Sequence, residues 1–129
     1  MKYDVQYIII LVFYQGGNKQ PMKVQEKYYN LLKSGIKTIE LRLYDDKRKK
    51  IKIGDKLIFE NLSNPKDYFT GVVKNLYRAI DFGSLAEQIS PEKAGFQSKD
   101  EMIKTMKTFY PTDRQKEDGV LGIEIKIKK

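Results

Sequence analysis

The residues best placed for chemistry are Lys37, Glu40 and Arg42, which lie within six positions of one another. Polar and aliphatic residues alternate over residues 38–43, a pattern that predicts a strand because successive side chains point to opposite faces. Glu40 and Arg42 then share one face, about 7 Å apart. At that separation a carboxylate and a guanidinium can both contact one small ligand or one nucleotide.

Lys37 has the wrong parity to join this face within a regular strand. Residues 25–34 carry apolar side chains at helical spacing and predict a short helix, which Gly35 ends as a left-handed C′ residue. We therefore expect the lysine to reach the same place from the turn at residues 35–36. Thr38, between the turn and the strand, belongs to the same candidate ligand-binding set.

The composition limits the chemistry that these residues can support. The sequence has no cysteine and no histidine, which excludes disulfides, thiol catalysis and cysteine-based metal sites and removes the commonest general base. Any catalysis must use lysine, carboxylates, hydroxyls or tyrosine. The sequence also contains neither a phosphate-binding loop nor a dinucleotide fingerprint, and we expect no metal and no cofactor.

The charge of the chain is positive and unevenly distributed. The sequence has 25 Lys and Arg against 17 Asp and Glu, a net charge of +8. Residues 33–56 alone hold nine basic and four acidic residues, and such an excess suits a polyanionic partner. The most basic part is a loop formed by Lys47, Arg48, Lys49 and Lys50. Two interpretations of this loop stay open, contacts to phosphate groups and a solvated turn.

The length of 129 residues indicates one domain that can bury its own core. Residues 1–21 stand apart because residues 7–14 are continuously apolar or aromatic. This run is far shorter than the roughly 20 residues that span a bilayer, and it makes a poor signal peptide. We expect a cytoplasmic protein in which residues 1–21 are an added strand or an extension, and residues 22–129 are the domain.

The middle of the chain reads as two strands. Residues 56–61 and residues 68–78 predict these strands, and residues 61–67 predict the turn between them. Gly71, inside the second strand, predicts a bulge or a bend.

Tyr77 and Arg78 lie near the end of that second strand. An aromatic ring beside a cation could stack on a nucleobase, so both are candidate ligand-binding residues. The alternative is a core tyrosine beside a surface arginine.

The following part of the chain predicts three short helices. Ser84 and Glu87 have the spacing of a capping box, Pro91 suits a first helical turn, and Ser98 with Glu101 opens the clearest helix. That helix carries an apolar stripe, which we interpret as core contacts rather than a ligand groove. The stripe comprises Met102, Ile103, Met106, Phe109 and Tyr110.

The last residues of the chain predict a closing strand. Residues 120–128 alternate strictly, which places one set of side chains inward and the other outward. The expected inward residues are Leu121, Ile123, Ile125 and Ile127, and the expected outward residues are Gly122, Glu124, Lys126 and Lys128.

Four sequence segments together resemble the ASCH family, a branch of the PUA-like β-barrels. They are G-I-K-T-I-E-L-R, D-D-K-R-K-K, I-K-I-G-D-K-L-I-F-E-N and the downstream G-V-L-G-I-E-I. The resemblance covers residue 22 to about residue 128 and indicates a small bacterial single-domain member. It implies an α+β fold, a PUA-like mixed β-barrel of five or six strands with two to four short helices. It also implies a cleft where the first segment meets the helical part.

The first function that the resemblance implies is binding of RNA or of a nucleotide or modified nucleobase. Lys37 and Arg42 would hold a phosphate or a base carbonyl, and Glu40 would orient them or accept from a base amine. The loop at residues 47–50 would follow the RNA backbone. The expected partner is RNA, a nucleotide or a nucleoside, with no membrane, and the protein is a monomer or a weak dimer.

The second function is catalytic, because similar enzymes hydrolyse the acetyl amide of N4-acetylcytidine. Their motif, G-x-K-T-x-T-x-R, is matched here at Gly35, Lys37, Thr38 and Arg42, but Glu40 stands at the position of the proposed threonine nucleophile. A later catalytic glutamate falls here at Gly95 or its neighbours. Lys37 and Glu40 would then be the catalytic pair, with the carboxylate as general base toward water.

A third interpretation is purely structural. Lys37, Glu40 and Arg42 would form an exposed ion-pair network on a barrel rim, which contributes about 0 to 1 kcal/mol per pair.

Overall fold

The computed structural model describes residues 21–128. The bounds of its strands and helices follow in chain order. They are β1 Met22–Val24, α1 Glu26–Ser34, β2 Ile39–Leu43, a 3-10 helix Arg48–Lys50, β3 Lys56–Asn61, β4 Asn64–Ala79, α2 Phe82–Leu85, a 3-10 helix Pro91–Ala94, α3 Lys99–Phe109, α4 Thr112–Asp118 and β5 Val120–Ile127. The predicted segment at residues 1–21 lies outside this range except for its last residue.

The five strands of the described chain form one curled, mixed sheet, a half-barrel with the order β1-β3-β4-β5-β2. The β1 strand is parallel to β3, and the other neighbouring strands are antiparallel. The two edge strands are joined by a side chain, because Arg42 Nη2 on β2 donates to the carbonyl of Lys23 on β1 over 2.8 Å. The α+β, PUA-like fold predicted from the sequence is therefore confirmed.

The concave face of the sheet holds the first core. Its centre is fully buried and includes Tyr29 and Leu32 of α1 against Leu57 and Phe59 of β3. Phe69 stacks on Phe59 with ring centres 5.2 Å apart. The helix α1 thus covers the open side of the half-barrel.

A second core lies on the other face of the sheet, under α2 and α3. Ile39 of β2 and Val120 of β5 are buried there against Leu85 and Met102. Gly122 of β5 is buried as well, and a Cβ atom at this position would lie 3.3 Å from Ile39 Cγ2. Gly122 was predicted to point outward, and it does lie on the face opposite Leu121 and Ile123, but α2 and α3 cover that face, so the residue is buried.

The hairpin between β3 and β4 is tighter than predicted. Asn61 pairs with Asn64, so the turn is residues 62–63 and β4 already includes Pro65. This proline is tolerated because β5 extends only as far as Gly71 along β4, so the start of β4 has β3 as its one partner strand.

A bulge at Gly71, one of the two predicted alternatives, is not observed. Gly71 pairs regularly with strands on both sides, and the register shift lies between Val73 and Asn75. A Cβ atom at position 71 would lie 3.0 Å from Ile125 Cδ1 and 3.3 Å from Phe59 Cε2. The glycine therefore serves close packing in the first core.

The helix starts were predicted with mixed success. Ser98 Oγ accepts from the backbone N–H of Glu101, as expected for α3. Ser84 does not open α2, since Asp81 caps it by accepting from the Ser84 N–H over 2.7 Å. The helix α4 had no predicted counterpart. No helix within residues 21–128 is long and apolar enough to cross a membrane.

Candidate functional site

Lys37 reaches the site from the turn after α1. Gly35 ends this helix with a positive φ of 87°, and the Lys37 N–H then donates to the carbonyl of Leu31. The side chain runs inward, and its Nζ donates to the carbonyl of Ala94 in the second 3-10 helix over 2.7 Å. Its side chain is only 3% exposed.

Glu40 and Arg42 project from β2 toward the same place. Glu40 Oε1 lies 3.3 Å from Lys37 Nζ, and Glu40 Oε2 accepts from Arg42 Nε over 2.8 Å. The Glu40 and Arg42 side chains are 8% and 12% exposed. The interpretation as an exposed ion-pair network is therefore wrong, because Lys37 and Glu40 are buried and Arg42 is largely buried.

Burial and charge act in opposite directions on these groups. Burial raises the pKa of the Glu40 carboxyl, but the charges of Lys37 and Arg42 outweigh it, so the pKa lies below its ordinary value. Burial lowers the pKa of the Lys37 ammonium, and the attraction of Glu40 only partly offsets this. The pKa of Arg42 is raised because the nearby carboxylate outweighs its burial. At neutral pH the network therefore contains an ionised carboxylate.

The three charged residues form one wall of a cavity of about 270 Å³. The cavity lies between β1, β2, α1 and the end of α3. Its lining comprises Lys23, Val24, Gln25, Tyr28, Lys37, Glu40, Leu41, Arg42, Phe96, Met106, Phe109 and Tyr110.

Aromatic residues form another part of the cavity lining, the aromatic wall. The Tyr28 ring lies 5.7 Å from that of Phe96 and 6.4 Å, edge to face, from that of Phe109. Lys37 Nζ lies 5.6 Å from the centre of the Tyr28 ring, a cation–π distance. Phe109 is 41% exposed, so this wall meets solvent.

This aromatic wall was not predicted from the sequence. The stripe on α3 was visible, but it was interpreted as core contacts alone. Met106 is indeed buried in the second core, yet it also lines the cavity with Phe109 and Tyr110. A usable signal was the pair of aromatic residues at the end of a helix, where their rings can extend beyond the core.

Thr38, Tyr77 and Arg78 do not line this cavity. The backbone of Thr38 bonds to Lys93 and Ile125, and its hydroxyl is buried with no hydrogen-bond partner within the described residues. Tyr77 donates its hydroxyl to Glu124 over 2.9 Å. Arg78 Cζ lies 3.9 Å from the centre of the Tyr44 ring. A ligand-binding role for the three stays a prediction.

The basic loop also lies outside the cavity lining. Arg48 is paired with Asp45 over 2.9 Å, and Lys49 Nζ lies 3.7 Å from Asp46. Lys47 and Lys50 make no ion pair within residues 21–128. The loop therefore keeps part of its charge available to an external polyanion.

The resemblance places a later catalytic glutamate at Gly95 or one of its neighbours. The φ of Gly95 is +93°, and a Cβ atom there would lie 3.1 Å from Lys37 Cδ. The position is thus in contact with the lysine but carries no carboxylate. No cluster of acidic residues within residues 21–128 has the arrangement of a metal site.

The match to a family model covers this whole arrangement. Residues 22–128 match the ASCH domain, and the chain belongs to the ASCH domain family. Comparison with proteins of curated function found no significant match.

Solved structures with the same fold include two of similar length. A hypothetical protein named PH0355 is 38% identical, with 85% of this chain and 99% of that chain covered and a TM-score of 0.75. Protein PF0455 from Pyrococcus furiosus is 33% identical, with 86% and 98% covered and a TM-score of 0.67. The ASCH protein from Zymomonas mobilis is 9% identical, covering 81% of this chain and 64% of its own, with a TM-score of 0.61. At 9% identity, the similarity to this last protein shows only that the fold is shared.

Proposed function

We propose that the protein binds a nucleobase or nucleoside, free or as an unstacked base of RNA, in the cavity beside β2. The observation that carries this proposal is the buried Lys37–Glu40–Arg42 network facing an aromatic wall. Charged donors can hold the polar edge of a base, while aromatic rings stack on its face.

The size of the cavity supports a single base. Its volume of about 270 Å³ lies just below the roughly 300 to 1,000 Å³ typical of ligand pockets. Such a space suits a base or a small nucleoside and excludes a nucleic-acid helix. A longer RNA would have to place one base inside and run its backbone over the surface.

The electrostatics support an RNA partner for that surface. The net charge is +8, and the exposed basic loop offers cations next to the edge of the half-barrel. Phosphate contacts of this kind give affinity without sequence preference. The base selectivity would then come from the cavity, and the general attraction from the loop.

The amidohydrolase alternative has less support from the site. The pKa of Glu40 lies below its ordinary value because two cations hold the carboxylate ionised, which weakens it as a general base. The later glutamate of the enzymes' motif falls at Gly95 or its neighbours, and residues 94–96 carry no carboxylate. Hydrolysis of N4-acetylcytidine therefore ranks second to binding.

Binding is tested by calorimetric titration of the full chain with five nucleosides: uridine, cytidine, N4-acetylcytidine, adenosine and guanosine. Phe109→Ala is the informative variant because the side chain is 41% exposed, so its loss leaves the core intact. Losing one stacking ring should weaken binding by about 1 to 3 kcal/mol. Tyr68→Ala removes an exposed aromatic residue outside the cavity and should leave the affinity unchanged. Absence of binding to all five nucleosides, or equal affinities for both variants, would refute the proposal.

Catalysis is tested by acetate release from N4-acetylcytidine. We expect no turnover above background for the natural sequence. Robust hydrolysis that Glu40→Gln reduces by on the order of 100-fold, with substrate binding retained, would instead establish the enzyme.

A further inference from the structure

Hydrogen-bond donors are in excess on the charged wall of the cavity. Each oxygen of Glu40 already faces a cation, Oε1 that of Lys37 and Oε2 that of Arg42. An ammonium has three N–H bonds and a guanidinium has five. Within residues 21–128, each cation donates one further hydrogen bond, to a backbone carbonyl. The acceptor is Ala94 for Lys37 and Lys23 for Arg42. The wall therefore retains N–H groups for a ligand, and its donors outnumber the acceptor sites of its one carboxylate.

The charged wall also has a net positive formal charge. With Lys37 protonated, Lys37 and Arg42 carry two positive charges and Glu40 one negative charge, and all three side chains are at most 12% exposed. Lys23 adds a further cation to the lining. Asp45 acts electrostatically on Arg42, but its carboxylate forms an ion pair in the basic loop. A buried excess of positive charge costs free energy unless a negative group compensates it.

The aromatic part of the cavity lining favours a flat ligand. The rings of Tyr28, Phe96, Phe109 and Tyr110 line the cavity, and the nearest ring centres are 5.7 Å apart. A flat ligand can lie against such rings, whereas a small inorganic anion would leave them without contacts.

We propose that the preferred ligand is a planar heterocycle with an anionic edge, such as a pyrimidine that carries a carboxylate. The anionic edge faces Lys37 and Arg42, and the ring lies against the aromatic wall. This inference rests on the proposed nucleobase-binding function and specifies its ligand class. Bases that present mainly amino groups, such as adenine, bind more weakly because the wall offers more donors than acceptors.

The test compares three probes on the full chain by calorimetry. The probes are 6-carboxyuracil, uracil as the neutral ring, and acetate as the carboxylate without a ring. Hydrogen bonds to charged groups are about twice as strong as neutral ones, so 6-carboxyuracil should bind about 10-fold more tightly than uracil. Acetate should not bind measurably. Lys37→Met should abolish the preference, and Lys116→Met, on the exposed face of α4, should preserve it.

Each contrary outcome identifies what has failed. Uracil binding as tight as that of 6-carboxyuracil overturns the anionic edge and leaves nucleobase binding intact. Acetate binding as tight as that of 6-carboxyuracil overturns the planar requirement. Failure of both ring compounds and of all nucleosides overturns the proposed function itself. If Lys37→Met does not fold, the ratio of the affinities for 6-carboxyuracil and uracil, measured for the natural sequence, tests the charge requirement. The affinity of Phe109→Ala tests the ring requirement.

Discussion

Glu40 is the residue that holds the charged network together, because its two oxygens are shared between Lys37 and Arg42. A carboxylate in this position compensates two cations that could not be buried alone. The charge of Glu40 acts to raise the pKa of both Lys37 and Arg42.

The first prediction concerns the stability that Glu40 contributes. Glu40→Gln leaves both cations buried without their carboxylate, so the free energy of unfolding at pH 7 should fall by about 3 kcal/mol. The pKa of Glu40 is lower in the folded protein than its ordinary value of 4.5. Its contribution is then fully present above pH 4.5 and is lost as the pH falls through the folded pKa. Urea unfolding at a series of pH values measures this difference.

The expected outcome is a gap between natural sequence and Glu40→Gln that narrows below pH 4.5. Glu117→Gln is the control, because this exposed glutamate of α4 has no ion pair within residues 21–128. It should be as stable as the natural sequence within about 0.5 kcal/mol. A gap that stays constant down to pH 3 would show that Glu40 is not stabilised as a carboxylate.

At the scale of elements, two short segments position Lys37. The turn after α1 directs the side chain inward, and the 3-10 helix Pro91–Ala94 supplies the carbonyl of Ala94 that accepts from it. The carbonyl of Lys93 in the same 3-10 helix accepts from the Thr38 N–H. The lysine is thus held from both ends by backbone groups that lie far apart in the chain.

The second prediction tests this positioning at Gly95. Gly95→Ala introduces strain at a φ of +93° and a Cβ atom 3.1 Å from Lys37 Cδ. It should cost about 1 kcal/mol of stability and weaken binding of cavity ligands, because the lysine must move. Thermal unfolding and nucleoside titration measure the two effects.

Gly54→Ala is the matched control for that experiment. Gly54 has a similar φ of +96°, but nothing lies within 4 Å of its Cβ position. The backbone penalty should therefore be similar while ligand affinity stays unchanged. Equal affinities for the two variants would exclude a role of Gly95 in positioning Lys37.

At the scale of the whole molecule, the half-barrel brings two kinds of surface together. The cavity is small and aromatic, and the basic loop between β2 and β3 is exposed and positive. The edge strands β1 and β2 meet through Arg42, so one residue belongs both to the cavity and to the closure of the sheet. The bacterial origin and cytoplasmic location stay predictions.

The third prediction tests whether RNA binding depends on the basic loop itself or only on the net charge of the protein. Changing Lys47, Arg48, Lys49 and Lys50 together to Ser should weaken binding of different single-stranded RNAs about equally. The slope of log K against log salt should fall by about 0.7 for each lost phosphate contact. Fluorescence anisotropy at several salt concentrations measures both.

The control for this experiment removes the same charge elsewhere. Lys104, Lys107, Arg114 and Lys116, which are exposed on α3 and α4, are changed to Ser instead. Affinity and slope should then change much less. If both quadruple variants lose the same affinity, RNA responds to the net charge alone, and the loop has no specific role.

The sequence by itself determined the local structure around the site. Alternation over residues 38–43 placed Glu40 and Arg42 on one face, and Gly35 marked the end of α1. Such patterns are readable because strand parity and helix termination depend on neighbouring residues only.

Only the tertiary structure decided what surrounds these residues. The carbonyl of Ala94, the carbonyl of Lys23 and the rings of Phe96 and Phe109 reach the network from segments distant in the chain. Their approach depends on the curl of the sheet and on helix packing, which no local pattern encodes. For the same reason, the burial of the network and the second core under α2 and α3 could not be derived from periodicity alone.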